Sequence, residues 1–283
     1  MKISQVPNIF TFAVLSSLLL MGCQQPETFQ PEESTSETPA GVTELTVSAA
    51  ASLQDVMKAI KPIYEKAYPD REIVYNFASS GSLQRQIEQG APVDVFISAA
   101  VDKMDTLEEK DLIFTATRRD LLKNQMVLVT QAGTKANLNI SDFEDLNTEK
   151  INLIALGEPE SVPAGRYAQE VLNSFNIADK VNEKAVYGKD VRQVLNYVAT
   201  GNVEAGIVYR TDAQVSDNVE IIATAPEESH SPVIYPVAII EDSDTPEIGK
   251  ELIEFLTTEE AQAVFEDYGF VPVTSDQGNS KYN

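Results

Sequence analysis

The sequence contains little of what metal binding and covalent catalysis commonly need. Its 283 residues include one cysteine, one histidine and no tryptophan. A single thiol, Cys23, excludes an internal disulfide and a cysteine-rich metal site. A serine nucleophile needs a base beside it, but the only histidine is His230 and the chain has no G-x-S-x-G motif. We therefore expect no catalytic residue, and a serine hydrolase is a remote alternative.

Basic residues are also scarce. The chain has 21 Lys and Arg against 44 Asp and Glu, a formal net charge of -23. This balance argues against nucleic acid or an anionic membrane surface as the main partner. A small anion remains compatible with it, because a helix N-terminus offers free N–H groups and partial positive charge without a cationic side chain.

The first 22 residues predict a signal peptide. Lys2 precedes an apolar stretch over residues 9–21, which is shorter than the roughly 20 apolar residues of a membrane span. The stretch ends in Leu-Met-Gly-Cys, which resembles the lipobox of bacterial lipoproteins and implies a lipidated Cys23. Residues 23–43 contain several prolines and no apolar periodicity, so they predict a flexible linker. We expect an extracytoplasmic protein anchored to a membrane through Cys23.

From residue 44 onward, short apolar strands alternate with amphipathic helices. This alternation predicts an α/β protein with mostly parallel sheets. The predicted strands cover residues 45–49, 73–77, 93–98, 126–130, 151–156, 205–209 and 234–240. In such sheets, ligands bind at the carboxyl ends of the strands, where the helices begin.

Four strand-to-helix turns combine small residues with hydrogen-bond donors. Ser52 and Ser80 follow the first two strands, residues 162–165 read Val-Pro-Ala-Gly, and Asp190 precedes a helix. Each feature alone is ordinary, since a serine or aspartate at a helix start is usually an N-cap. Together they favour a site that holds a small anion with hydroxyl groups and backbone amides.

The motifs AAASLQD, FASSGSL, GAPVDVFISAA, GEPESVPAGRYA, KDVRQVL and GIVYRTDA occur in this order. As a set they resemble the substrate-binding proteins of bacterial molybdate ABC transporters, within the class II periplasmic binding protein superfamily. The resemblance covers about residues 45–273. It implies a two-lobed α/β fold with a two-strand hinge, formed by the crossing segments 125–130 and 234–240. Lobe I would hold residues 44–123 and 224–283, and lobe II residues 124–223.

The resemblance also implies a set of ligand groups. Ser52 and Ser80 would offer hydroxyl and amide donors, Ala164 and Val191 backbone N–H groups, and Tyr209 its phenolic hydroxyl. Gly81 departs from the family pattern, where a third serine is expected after FASS. The removed hydroxyl would lie near the site without being a ligand.

The implied function is capture of molybdate, and of tungstate, for delivery to the permease of an ABC importer. We expect a monomer with no cofactor and no directly coordinated metal. A site made only of donors suits a fully ionised oxyanion, whereas phosphate at neutral pH keeps a proton that wants an acceptor.

Several alternatives stay open. Sulfate differs from molybdate only in size, so another oxyanion is the main alternative ligand. A metal ion is a weaker one, because Tyr209 lacks clustered metal ligands in sequence. A sensor or adhesion lipoprotein would keep the fold without transport. Arg85, Arg166 and Arg192 lie near the proposed turns, and we expect helix-surface charges or ion pairs between the lobes.

Overall fold

The computed structural model describes residues 41–273, so the predicted signal peptide, Cys23 and nearly all of the linker lie outside the described residues. The strands are β1 Thr43–Ala50, β2 Arg71–Ala78, β3 Val95–Ile97, β4 Arg119–Asn124, β5 Met126–Gln131, β6 Ile154–Gly157, β7 Ala185–Gly188, β8 Ala205–Tyr209, β9 Val219–Thr224, β10 Val233–Ile239 and β11 Val271–Pro272. The helices are α1 Gln54–Ala67, α2 Ser80–Glu88, α3 Val101–Glu108, α4 Lys135–Leu138, α5 Pro163–Ser174, α6 Ala178–Asn182, α7 Val191–Ala199, α8 Arg210–Gln214, α9 Pro246–Leu256 and α10 Glu259–Asp267.

The strands form two sheets, which define two lobes. The six-stranded sheet of the first lobe has the order β11-β4-β10-β3-β1-β2. The five-stranded sheet of the second lobe has the order β7-β6-β8-β5-β9. The chain passes from the first sheet to the second at Gln125, between β4 and β5, and returns through residues 225–232. The predicted two-lobed α/β fold with two crossings is confirmed.

The expectation of mostly parallel sheets was wrong, because both sheets are mixed. The pairs β1–β2, β1–β3, β6–β7 and β6–β8 are parallel. In contrast, β10 is antiparallel to β3 and β4, β11 to β4, and β5 to β8 and β9. A strand that enters a lobe from the other lobe starts at the edge where that lobe's own parallel strands end, so it runs against them. Alternation of strands and helices along the sequence does not reveal this reversal.

The expected crossing segments match the crossings in part: 125–130 begins at the junction, Gln125, whereas 234–240 begins after the second crossing. Residues 126–131 lie wholly in the second sheet as β5, and residues 233–239 wholly in the first as β10. The crossings themselves are the junction at Gln125 and the stretch before β10. Strand-like sequence therefore marked the strands next to the crossings and not the crossings.

Helix packing follows the apolar periodicity of the sequence. Helix α1 buries Val56, Met57, Ile60 and Tyr64, which recur at three- and four-residue spacing. Helix α7 likewise buries one apolar stripe in the second lobe. These stripes fix the helices against the sheets and thereby aim their N-termini at the strand ends. Within residues 41–273, the helices are too short or too polar to cross a membrane.

Candidate functional site

Two of the predicted site residues lie at one edge of the first sheet. Ser52 belongs to a single 3₁₀ turn that directly follows β1, and Ser80 is the first residue of α2, just after β2. Strands β1 and β2 are parallel, with Ala50 opposite Ala78, so both serines lie at the same end of the sheet. Both are buried.

The other three lie at the corresponding edge of the second sheet. Ala164 is the second residue of α5 after β6, Val191 the first residue of α7 after β7, and Tyr209 the last residue of β8. Strand β6 runs parallel to both β7 and β8, so the three residues share one end of that sheet. All three are buried.

These two edges face each other across the interlobe boundary. The N–H of Gly81 donates to the carbonyl oxygen of Ser161 over 3.1 Å, which joins α2 to the loop before α5. The Nη2 of Arg192 donates to the carbonyl oxygen of Ser52 over 3.3 Å. The structure therefore brings the predicted positions to one closed interface, and the role of each as a ligand stays a prediction.

Neither serine is a helix cap, which was the ordinary alternative for each of them alone. Ser79, not Ser80, is the N-cap residue of α2, and no side-chain capping hydrogen bond forms there. The Oγ of Ser80 instead accepts from the N–H of Ala99 over 2.9 Å. The Oγ of Ser52 lies 2.9 Å from the hydroxyl of Tyr235. Both hydroxyls thus have protein partners that helix capping would not provide.

At the start of α5, Ala164 holds the one N–H group left over in the first turn. Pro163 has no N–H, and the N–H groups of Gly165 and Arg166 both donate to the carbonyl oxygen of Val162. The first N–H groups of a helix have no partner inside it. The sequence Val-Pro-Ala-Gly therefore directs one amide, that of Ala164, out of the helix end.

The same arrangement recurs at α2 and α7. In α2, Gly81 donates to the other lobe and the next two N–H groups donate to Ser79, which leaves the N–H of Ser80. In α7, Asp190 is the N-cap, as predicted, and its carboxylate accepts from the N–H of Gln193 over 2.8 Å. Among the described residues, the N–H groups of both Val191 and Arg192 are then left without an acceptor at this helix end.

Tyr209 has a fully buried hydroxyl group with no hydrogen-bond partner among the described residues. Burial, followed by the neighbouring Tyr235 and Tyr167, raises its pKa well above the ordinary value, so the hydroxyl keeps its proton. A buried polar group without a partner costs about 1–3 kcal/mol. The hydroxyl is therefore a donor that needs an acceptor.

The closed interface between the lobes explains why residue 81 is a glycine and not a serine. A Cβ atom at this position would lie 2.6 Å from the carbonyl oxygen of Ser161. Any side chain here would push the two lobes apart, so the expected serine does not fit this arrangement.

Two of the three arginines make ion pairs between the lobes, as expected. Arg192 of α7 lies 2.7 Å from the carboxylate of Asp55 in α1 and 2.8 Å from that of Asp212 in α8. Arg166 of α5 reaches Asp102 of α3 over 3.3 Å. The third, Arg85, donates to Ser82 on its own exposed helix surface.

Asp212 is fully buried, and its environment changes its acidity. Burial raises the pKa of its carboxyl group to about 6, although the nearby guanidinium of Arg192 opposes this shift. Arg192 is therefore held between one partly exposed and one buried carboxylate, and its charge is not free to face a ligand.

Sequence reasoning missed Tyr235 and Asn124. Tyr235 lies in the apolar strand β10 and touches Ser52, which is 183 positions away in sequence. Asn124 ends β4 directly before the crossing, and its amide group contacts Tyr235. For Tyr235 the only local signal was a polar side chain within a buried strand, and Asn124, at the end of the partly exposed β4, had no such signal.

The chain is similar to known solute-binding proteins over most of its length. Residues 45–271 match the family model for bacterial extracellular solute-binding proteins. A Bacillus subtilis protein, provisionally named an ABC transporter substrate-binding lipoprotein, is 45% identical over 93% of this chain and 97% of its own length. The molybdate-binding protein ModA of Haemophilus influenzae is 40% identical over 82% of this chain and 91% of its own.

A solved structure agrees with these relatives. It is the substrate-binding domain of a molybdenum ABC transporter, provisionally so named, from Clostridium difficile. It is 43% identical, covers 82% of this chain and 99% of its own, and superposes with a TM-score of 0.64. Similarity thus extends over sequence and fold together.

Proposed function

The chain belongs to the bacterial extracellular solute-binding protein family, and on this premise we propose that it captures molybdate outside the cytoplasm for an ABC importer. Tungstate, which has nearly the same size and charge, is the expected second ligand. The relatives named for molybdate support this proposal at 40% and 43% identity.

The observation that carries the proposal is the unpartnered hydroxyl of Tyr209. It is protonated, fully buried and placed at the end of β8, beside the ends of the neighbouring strands. The free-energy cost of this unpaired hydroxyl is removed if a ligand oxygen accepts a hydrogen bond from it. We propose that this oxygen belongs to an oxyanion, which the N–H groups of Ala164 and Val191 also bind.

Ser52 and Ser80 complete the proposed site from the first lobe. The Oγ of Ser80 accepts from the N–H of Ala99, which leaves its hydroxyl proton for a ligand, and Ser52 has the same free proton when the hydroxyl of Tyr235 donates to it. We propose that lobe I, residues 44–123 and 224–283, and lobe II, residues 124–223, close on the ligand as a hinged clamp. Donors from both lobes then bind one anion.

Binding, and not catalysis, is the activity that this geometry favours. A serine nucleophile needs a base, but Ser52 faces Tyr235 and Ser80 faces the N–H of Ala99. The imidazole of His230 instead contacts the ring of Tyr167 and the carbonyl oxygen of Ser231. Hydrolysis of activated esters that is lost on Ser52→Ala would support the hydrolase alternative.

Calorimetry with a panel of oxyanions tests the ligand. Molybdate and tungstate are expected to bind tightly and to raise the melting temperature, while excess sulfate competes poorly because of its smaller size. Sulfate binding as tight as that of molybdate would overturn the assignment. Since the chain has no tryptophan, a fluorescence assay would report through tyrosine.

We also propose that Cys23 is lipidated and anchors a monomer to a membrane through the linker. The Bacillus subtilis relative, named as a lipoprotein, supports this proposal. Metabolic labelling with a radioactive fatty acid should mark the protein, and Cys23→Ala should abolish the label. Label that persists in this variant would exclude Cys23 as the acceptor.

A further inference from the structure

We propose that Tyr235 and Asn124 are positioning residues that fix the hydroxyl of Ser52 as a hydrogen-bond donor toward the ligand. The inference rests on the proposed oxyanion site and concerns how that site tells an ionised anion from a protonated one. Neither residue is expected to touch the ligand.

The two residues belong to a chain of hydrogen bonds that begins at Ser52. The hydroxyl of Tyr235 lies 2.9 Å from the Oγ of Ser52. The side-chain Nδ2 of Asn124 lies 3.2 Å from the same hydroxyl and 2.9 Å from the Oγ1 of Thr211. Ser52, Tyr235 and Thr211 are buried, so solvent does not compete for these bonds.

The donor and acceptor in each of these hydrogen bonds follow from a backbone contact of Asn124. The Oδ1 of Asn124 accepts from the N–H of Gln125 over 2.9 Å, which identifies Nδ2 as the donor end of the amide. Nδ2 therefore donates to the hydroxyl of Tyr235. Burial raises the pKa of Tyr235 far above its ordinary value, so its phenol keeps a proton. That proton is left to point at the Oγ of Ser52.

The hydroxyl of Ser52 is then left to act as a hydrogen-bond donor. Its oxygen accepts from Tyr235, and its single proton is directed elsewhere, toward the edge that carries the other predicted donors. Ser80 is in the same condition, since its Oγ accepts from the N–H of Ala99. A serine hydroxyl that is free to rotate can accept a hydrogen bond from an O–H group of a ligand. A serine whose only proton already points at the ligand acts as a donor there, so an O–H of a protonated oxyanion that faces it meets another proton and is left unpaired.

The same hydrogen bonds link the orientation of the Ser52 hydroxyl to the crossing between the lobes. Asn124 directly precedes Gln125, where the first sheet passes into the second. Its amide reaches Tyr235 in the first lobe and Thr211 of α8 in the second. The donor orientation of Ser52 is therefore set by a residue that contacts both lobes.

The test is the selectivity of Tyr235→Phe for molybdate over inorganic phosphate at pH 7, measured by competition on the purified protein. Phosphate carries at least one proton at this pH, so its binding reports whether the hydroxyl oxygen of Ser52 accepts a hydrogen bond from the ligand. We expect molybdate affinity to fall about 10-fold while phosphate affinity stays nearly unchanged, so the ratio of the phosphate to the molybdate dissociation constant should fall by up to about 10-fold. Asn124→Ala should shift the ratio in the same direction.

Tyr75→Phe is the matched control, because it removes a half-buried tyrosine hydroxyl that bonds to the carbonyl oxygen of Met57, within the first lobe. It should leave the ratio at the wild-type value. An unchanged ratio in both Tyr235→Phe and Asn124→Ala would overturn the inference, even if affinity fell. Wild-type protein that does not bind molybdate would instead refute the proposed function.

Discussion

Replacing Tyr209 with phenylalanine separates a ligand role from a structural one. The substitution removes one hydroxyl and leaves the ring contacts with Tyr167 and Tyr235 in place. If the hydroxyl donates to a bound oxyanion, affinity must fall. The ligand-free protein should lose nothing, because the hydroxyl has no partner in the described part of the chain.

The expected size follows from the kind of bond. A hydrogen bond to a charged group contributes about 1.5–3 kcal/mol. Since 1.4 kcal/mol corresponds to a factor of ten, the dissociation constant for molybdate should rise roughly 10- to 150-fold. In the absence of ligand, the melting temperature should stay equal or rise, because a buried hydroxyl without a partner costs about 1–3 kcal/mol.

Titration calorimetry gives the affinity and scanning calorimetry the ligand-free stability. Tyr75→Phe is again the control, since it loses a formed hydrogen bond and should lower stability by about 1 kcal/mol without changing affinity. Unchanged affinity in Tyr209→Phe would remove the hydroxyl from the site. Loss of ligand-free stability equal to that of the control would show that the hydroxyl has a structural partner.

Two further predictions concern the interface and the buried acid. Gly81→Ala should weaken molybdate binding at least about tenfold, because its Cβ would lie 2.6 Å from the carbonyl oxygen of Ser161. Its ligand-free melting temperature should not fall, since alanine favours a helix over glycine; wild-type affinity would show that the lobes accommodate the methyl group. Asp212 has a pKa raised to about 6 by burial, so its contribution to stability is greatest below its unfolded pKa and is lost as pH rises toward 6. Asp212→Asn should therefore gain stability relative to wild type between about pH 4 and pH 6 in thermal melts, and a constant difference would contradict the shift.

The helix ends that leave amides free could be predicted from sequence because they depend on local structure, whereas the choice of Ala164 and Val191 as ligand groups came from the family resemblance and stays a prediction. Pro163 and Gly165 flank Ala164, and Asp190 caps α7 before Val191, so the leftover amides follow from rules for single helix ends. For the two serines, the same local rules left both a cap and a ligand donor open. A cap and a donor to another element share one sequence signal, and only the fold decides between them.

What the sequence could not provide was set by contacts over long separations. Tyr235 and Ser52 are 183 positions apart, and Asn124 and Thr211 are 87 apart. Their pairing depends on where the chain crosses between the sheets. The reversal of β5 and β10 has the same origin, because strand direction depends on the lobe from which the chain arrives and not on the apolar pattern of the strand.

The charged side chains and the hydrogen-bond donors have different roles between the two lobes. Arg192 bridges Asp55 and Asp212, and Arg166 reaches Asp102, so these guanidinium groups join the lobes and are neutralised there. Partly exposed ion pairs contribute at most about 1 kcal/mol each, too little to hold two lobes shut alone. We propose that closure also draws on hydrogen bonds from both edges to one ligand. On that proposal, a chain of net charge -23 can bind a dianion and release it when the second lobe moves away, because the donors of that lobe leave together.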